Sequence, residues 1–168
     1  IKRIIIPPAS PFTKGGRGLF LRRLNMPKIA IIYGTQAGST EIIARAVEEG
    51  VRNAGADAIL KNILVAKADD LKDVDGLILG APTYHADLFD GMKNFLLKIR
   101  DVNLKGKVGS AFGSYGWSGE GVGKMIDTLK YFGMKVIEPG LLIKNQPDEG
   151  GLEESRRFGE KIAKKIVK

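Results

Sequence analysis

Ile29-Ala30-Ile31-Ile32-Tyr33-Gly34-Thr35-Gln36-Ala37-Gly38-Ser39-Thr40-Glu41 is the stretch that decides the fold. Its first five residues are an unbroken apolar run, the pattern of a strand covered on both faces of a parallel sheet. A small, hydroxyl-rich loop follows. Beyond it Ile42, Ile43, Ala46, Val47 and Val51 share one face of a helix. A loop at this junction can offer a phosphate several backbone N–H groups, several hydroxyls and the positive end of a helix dipole. It contains no Lys or Arg, so a dianion would be held by neutral donors. The lysine of the P-loop pattern is missing, and Gly34 and Gly38 are too far apart for the dinucleotide fingerprint. What remains is a cradle sized for one terminal monophosphate. Taken alone, the loop fits equally an ordinary strand-to-helix turn capped by Ser39 or Thr40.

Working outward, strand and helix patterns alternate from Met26 onward. Lys28 to Tyr33 is the first strand, and the helix Ser39 to Asn53 is closed by Gly55. Ala56 to Asn62 reads as a more polar edge strand, followed by a helical turn at Ala68 to Leu71. Gly76-Leu77-Ile78-Leu79-Gly80 is an apolar central strand. Phe89, Met92, Phe95, Leu96 and Ile99 recur at helical spacing. Lys107 to Phe112 is the fourth strand. Val122, Met125, Ile126, Leu129 and Phe132 mark a helix closed by Gly133. Lys135-Val136-Ile137 and Leu141-Leu142-Ile143 form a last strand broken by Pro139-Gly140, and Leu152 to Val167 is the final helix. Five strands alternating with helices predict an α/β fold: a three-layer, doubly wound, five-stranded parallel sheet in one domain.

Bulk composition narrows the chemistry. The 168 residues contain no Cys and one His, which removes disulfides, thiol nucleophiles, Cys-ligated metals and His-based metal sites. No apolar run approaches the ~18 residues of a membrane span, so the expectation is a cytoplasmic protein that does not enter the membrane. Six of the 27 basic residues lie in Ile1 to Asn25, which has no acid, leaving 21 against 19 acidic residues beyond it. The net charge of +8 therefore belongs largely to the leader, and no nucleic-acid surface is expected on the main body. The leader is rich in Pro and Gly and has no sustained period. It reads as a basic arm for an acidic partner, as a targeting segment, or, preferred here, as sequence upstream of a natural start at Met26. Residues 1–25 are expected to lie outside the fold, and their deletion to leave ligand binding unchanged.

In doubly wound sheets ligands bind beyond the carboxyl ends of the strands, where the winding reverses. After the third strand comes Gly80-Ala81-Pro82-Thr83-Tyr84-His85-Ala86-Asp87, and after the fourth Gly113-Ser114-Tyr115-Gly116-Trp117-Ser118-Gly119-Glu120. The single Trp stands two residues from a Tyr among glycines, a place for a ring platform or a partner anchor rather than a core residue. A monophosphate cradle beside two segments able to cover a planar, hydrogen-bonding ring has the shape of flavin mononucleotide (FMN).

With these segments in view, Met26 to the carboxyl terminus resembles the flavodoxin family, above all the flavodoxin-like domain of flavodiiron proteins. The most specific parts are Ala81-Pro82-Thr83-Tyr84 and Gly113-Ser114-Tyr115-Gly116-Trp117-Ser118-Gly119. The resemblance implies strand order 2-1-3-4-5. It implies an FMN phosphate held by Thr35, Gln36, Ala37, Gly38, Ser39 and Thr40. It places the flavin ring between Pro82, Thr83, Tyr84, His85, Ala86 and Ser114, Tyr115, Gly116, Trp117, Ser118, Gly119. The function implied is electron transfer between a reductase and an acceptor, with a separate diiron subunit as one acceptor, by a monomer or weak homo-oligomer. Two departures stand out. His85-Ala86-Asp87 occupies the place where flavodiiron domains tend to carry Asn, and no Gly stands in the turn that many flavodoxins aim at the flavin.

Single residues carry further expectations. Tyr115 or Trp117 is expected to contact the flavin, and a cationic His85 would stabilise an anionic reduced flavin. Asp69, Asp70, Asp73 and Asp75 read as a solvated surface or a partner patch, and Lys161, Lys164, Lys165 and Lys168 as the exposed face of the last helix. Three other functions fit the same topology. An NAD(P)H-dependent quinone or flavin reductase would need a nicotinamide site over the flavin. A phosphoacceptor signalling domain would need an Asp at the end of the central strand, where this chain reads Gly80-Ala81-Pro82-Thr83. A cofactor-free relative would serve protein contacts alone.

Overall fold

The computed structural model describes residues 26–167, so the expectation for residues 1–25 lies outside the described residues. The elements are β1 (Lys28–Tyr33), α1 (Ser39–Asn53), β2 (Asp57–Asn62), a 3-10 turn (Ala68–Leu71), β3 (Gly76–Gly80), β4 (Thr83–Tyr84) and β5 (Asp87–Leu88). They continue with α2 (Asp90–Lys98), β6 (Val108–Tyr115), α3 (Glu120–Tyr131), β7 (Lys135–Val136), β8 (Leu141–Lys144) and α4 (Glu149–Ile166).

The main sheet is parallel in the order β2-β1-β3-β6-β7, with β8 pairing β6 beyond β7. Counting β7 and β8 as one interrupted edge strand, this is the expected order 2-1-3-4-5. Alternation along the central strands fills two cores. Ala30, Ile32, Leu77 and Leu79 face α2 and α3, where Met92, Phe95, Met125 and Leu129 are buried. Ile29, Ile31 and Ile78 face α1 and α4, packing with Ile43, Val47, Phe158 and Ile162. Each fully buried aliphatic side chain contributes roughly 1.5–3 kcal/mol to holding the helices on the sheet.

The structure departs from the sequence reading at three places. The fourth strand runs to Tyr115 rather than Phe112, because Phe112–Tyr115 pairs with Leu141–Lys144 of β8. The segment after β3 is not a plain loop but a two-stranded antiparallel hairpin, Thr83 opposite Leu88 and Tyr84 opposite Asp87. The last helix begins at Glu149 rather than Leu152, since the Asp148 carboxylate accepts the Gly151 N–H at 2.8 Å and caps a turn that the apolar pattern does not mark.

Candidate functional site

The chain leaves β1 for β2 on one side and returns to β3 on the other, so the winding reverses between β1 and β3. Everything singled out at the strand ends converges there. Gly34, just beyond β1, donates its N–H to the Gly80 carbonyl at 2.9 Å, tying the 34–40 loop to the end of β3. Thr35 Oγ1 accepts the Gly38 N–H at 2.9 Å and closes the loop on itself. Gly38 sits at φ 90 with open space where a Cβ would be, and it is the N-cap of α1. A side chain here would be strained by backbone conformation alone.

No side chain caps α1. The alternative of a turn capped by Ser39 or Thr40 is therefore not the arrangement found. The first-turn N–H groups face the loop, and the donors around it are neutral. Glu41 is the first-turn acid, and its carboxylate is engaged by Arg45 at 2.8 Å. Burial pushes the Tyr33 phenol at the end of β1 up, with the Glu41 charge adding to the shift. This donor set fits a phosphate dianion.

Thr40 and Ser114 lie deeper than the rest. Thr40 Oγ1 and Ser114 Oγ are 3.0 Å apart and buried, joining the start of α1 to the end of β6. Gln36 and Ala37 are exposed at the loop tip, and Ser39 is half-buried.

The second half of the candidate site is built from the hairpin and the loop after β6. Gly113 makes their approach possible, since a Cβ there would lie 2.4 Å from the Ala81 carbonyl oxygen. Pro82 and Thr83 are buried, and Thr83 Oγ1 accepts the Gly121 N–H at 2.9 Å. His85 and Ala86 form the hairpin turn with φ 51 and 59. Two positive values are the requirement of a type I′ turn, normally met by Asn and Gly. With Cβ-bearing residues this costs about 1–2 kcal/mol each.

Opposite stands Trp117, 97% exposed. A cavity of about 380 Å³ is lined by Thr83, His85, Ala86, Trp117 and Ser118, within the ~300–1,000 Å³ of small-ligand sites. Tyr84 packs edge-on against Phe89, with centroids 6.1 Å apart, and lines a neighbouring cavity with Gln36 and His85. Tyr115 is half-buried at the end of β6, while Gly116 is exposed and Gly119 rests against Leu142. The Ser118 hydroxyl hydrogen-bonds Glu120 and holds that carboxyl below its usual range.

A sequence model of the flavodoxin family matches residues 31–159. The chain belongs to the flavodoxin family. It is thus an FMN-binding electron-transfer domain. It is 31% identical over 155 residues to a flavodoxin of Clostridium saccharobutylicum, covering 83% of this chain and 97% of that one. It is 35% identical over 144 residues to the flavo-diiron protein FprA2 of Clostridium acetobutylicum, covering 82% of this chain and 36% of that one. An archaeal flavodoxin structure superposes with a TM-score of 0.81 at 31% identity, over 84% of this chain and 99% of that one. The chain thus spans about a third of the length of its flavo-diiron relatives. Flavodoxins and flavodiiron proteins work with redox partners. No helix among the described residues is long and apolar enough to cross a membrane.

Sequence reasoning missed Gly121, whose N–H anchors the hairpin, and the contacts of Asp87 with Lys93 on α2 and Lys124 on α3. No local pattern marks them, because each joins residues brought together by the fold. Three of the four clustered acids have partners: Asp70 with Lys61, Asp69 with Lys72, and Asp75 with the Lys28 N–H.

Proposed function

We propose that this flavodoxin domain holds the FMN phosphate in the 35–40 loop and the ring between the His85–Ala86 turn and Trp117. It then passes electrons from a reductase to an acceptor, a separate diiron protein being one candidate suggested by the flavo-diiron relatives. One observation carries this reading: an uncapped helix amino terminus and a cavity beneath an exposed indole share the same strand ends. FMN supplies the redox-active ring when bound. The protein's own residues set its surroundings. The Gly38–Thr40 backbone and nearby hydroxyls orient the phosphate without a cation. Thr83 fixes the hairpin, and the turn backbone lies where the ring edge would contact it. Trp117 covers one face and excludes water from it.

Titration of the apoprotein with FMN and with riboflavin, read by the fluorescence of the single Trp, tests this reading. Both ligands are expected to quench Trp117. FMN should bind about 100-fold more tightly, the ~3 kcal/mol that hydrogen bonds to a charged phosphate contribute. Equal affinities would remove the phosphate from the loop, and unquenched Trp117 would remove the ring from the cavity. Mixing the FMN-loaded protein with NADH or NADPH separates a carrier, whose flavin colour persists, from a nicotinamide-dependent reductase, whose colour bleaches at once.

A further inference from the structure

We propose that Asp87 is a positioning residue: by bridging Lys93 and Lys124 it holds the His85–Ala86 turn in its left-handed backbone conformation against the flavin ring. The inference rests on the ring placement proposed above and adds the device that keeps the turn in place.

The turn needs such a device. Its two residues have φ 51 and 59, and neither is Gly, Asn or Asp. The hairpin carrying it has two residues per strand, too few to be stable by its own ladder. Its entering strand is pinned, since Thr83 Oγ1 accepts the Gly121 N–H at 2.9 Å. Its leaving strand is pinned by Asp87. Oδ1 accepts from Lys124 Nζ at 2.5 Å and from the Leu88 N–H at 2.7 Å, and Oδ2 accepts from Lys93 Nζ at 2.5 Å. One carboxylate thus ties the residue next to the turn to two different helices. The ammonium groups of Lys124 and Lys93 hold its carboxyl well below the usual carboxylate range. Asp90, the other acid beside Lys93, stands at 3.5 Å and competes only weakly.

The placement of these pins matters as much as their number. Gly121 and Lys124 are one turn apart at the start of α3, so the hairpin straddles that turn. The same helix begins directly after the Trp117 loop. The clamp therefore sets the strained turn relative to the indole across the cavity. An exposed ion pair with no strained element behind it would contribute little.

The test compares FMN and riboflavin affinities of the whole chain carrying Asp87→Asn. Both dissociation constants should rise by the same factor, about tenfold, with their ratio unchanged because the phosphate end is untouched. A Lys93→Gln/Lys124→Gln double variant should reproduce the loss and serves if Asp87→Asn folds poorly. Adding Ala86→Gly to Asp87→Asn should return both constants to within about twofold of the parent, since glycine adopts positive φ without help from the clamp. A general loss of structure would not be rescued in this way. Parent-like binding by both clamp variants, or a loss that Ala86→Gly leaves in place, overturns the proposal while the ring placement stands. Failure of FMN to quench Trp117 in the parent overturns both.

Discussion

The 34–40 loop and the paired segments 83–86 and 115–119, proposed above to hold the two ends of one ligand, are built by different means. The loop is held largely through its main chain: the Gly34 N–H is bonded to the end of β3, the Thr35 hydroxyl accepts the Gly38 N–H, and a glycine occupies the one left-handed position. The main-chain groups it offers cannot rotate away. The ring side is held by side chains reaching across the fold. Its left-handed positions are occupied by His85 and Ala86, and its platform is an indole at 97% exposure. The difference is that main-chain conformation shapes most of the proposed anion end, whereas side-chain contacts between elements shape the proposed ring end. Substitutions at the two ends should therefore separate FMN from riboflavin.

The largest effect is expected from Ser39→Glu. A carboxylate in the first turn of α1 would face the phosphate, and like charges that close cost several kcal/mol. FMN affinity should fall by roughly 100-fold or more while riboflavin affinity stays put. The acid suits the helix amino end, so thermal unfolding of the apoprotein should not worsen. Loss of both ligands together would erase the distinction between the ends.

Trp117→Ala comes next and should give the reverse pattern. FMN and riboflavin affinities should both fall by about tenfold, the scale of a stacking contact with its buried area. The melting temperature of the apoprotein should stay unchanged, because the side chain is exposed. A drop confined to FMN would place the indole at the wrong end of the ligand.

The smallest effect is electrical. A cationic His85 at the turn would favour the reduced, anionic flavin. One such interaction of ~1 kcal/mol moves a one-electron potential by roughly 40 mV. Potentiometry of His85→Ala under acid conditions should show a midpoint lower than the parent's by about that much. Superimposable curves would leave the turn backbone, without its imidazole, as the whole of this wall.

Much of the fold could be read from local pattern. The apolar runs of β1 and β3 and the helical spacing of Ile43, Val47 and Val51 reflect burial, which residue type and periodicity signal together, although Ile42, read onto the same face, is exposed. The 34–40 junction stood out for a similar reason, since a run of small neutral residues between a strand and a helix is a local feature, although by itself it fitted an ordinary turn equally well. The end of β6 was not. Gly113-Ser114-Tyr115 has loop composition, and only pairing with β8 makes it a strand. The buried contact of Thr40 with Ser114 spans 74 positions, and nothing in either segment foretells it.

Local pattern was enough for a doubly wound sheet, a cation-free strand-to-helix loop and a glycine-rich aromatic loop after the fourth strand, because periodicity and side-chain chemistry are local properties. The tertiary structure alone decided that the segment after β3 is a hairpin, that its turn is left-handed without glycine, and that Asp87 meets two lysines. These depend on where α2 and α3 start relative to the sheet, a matter of packing that no short window of residues contains.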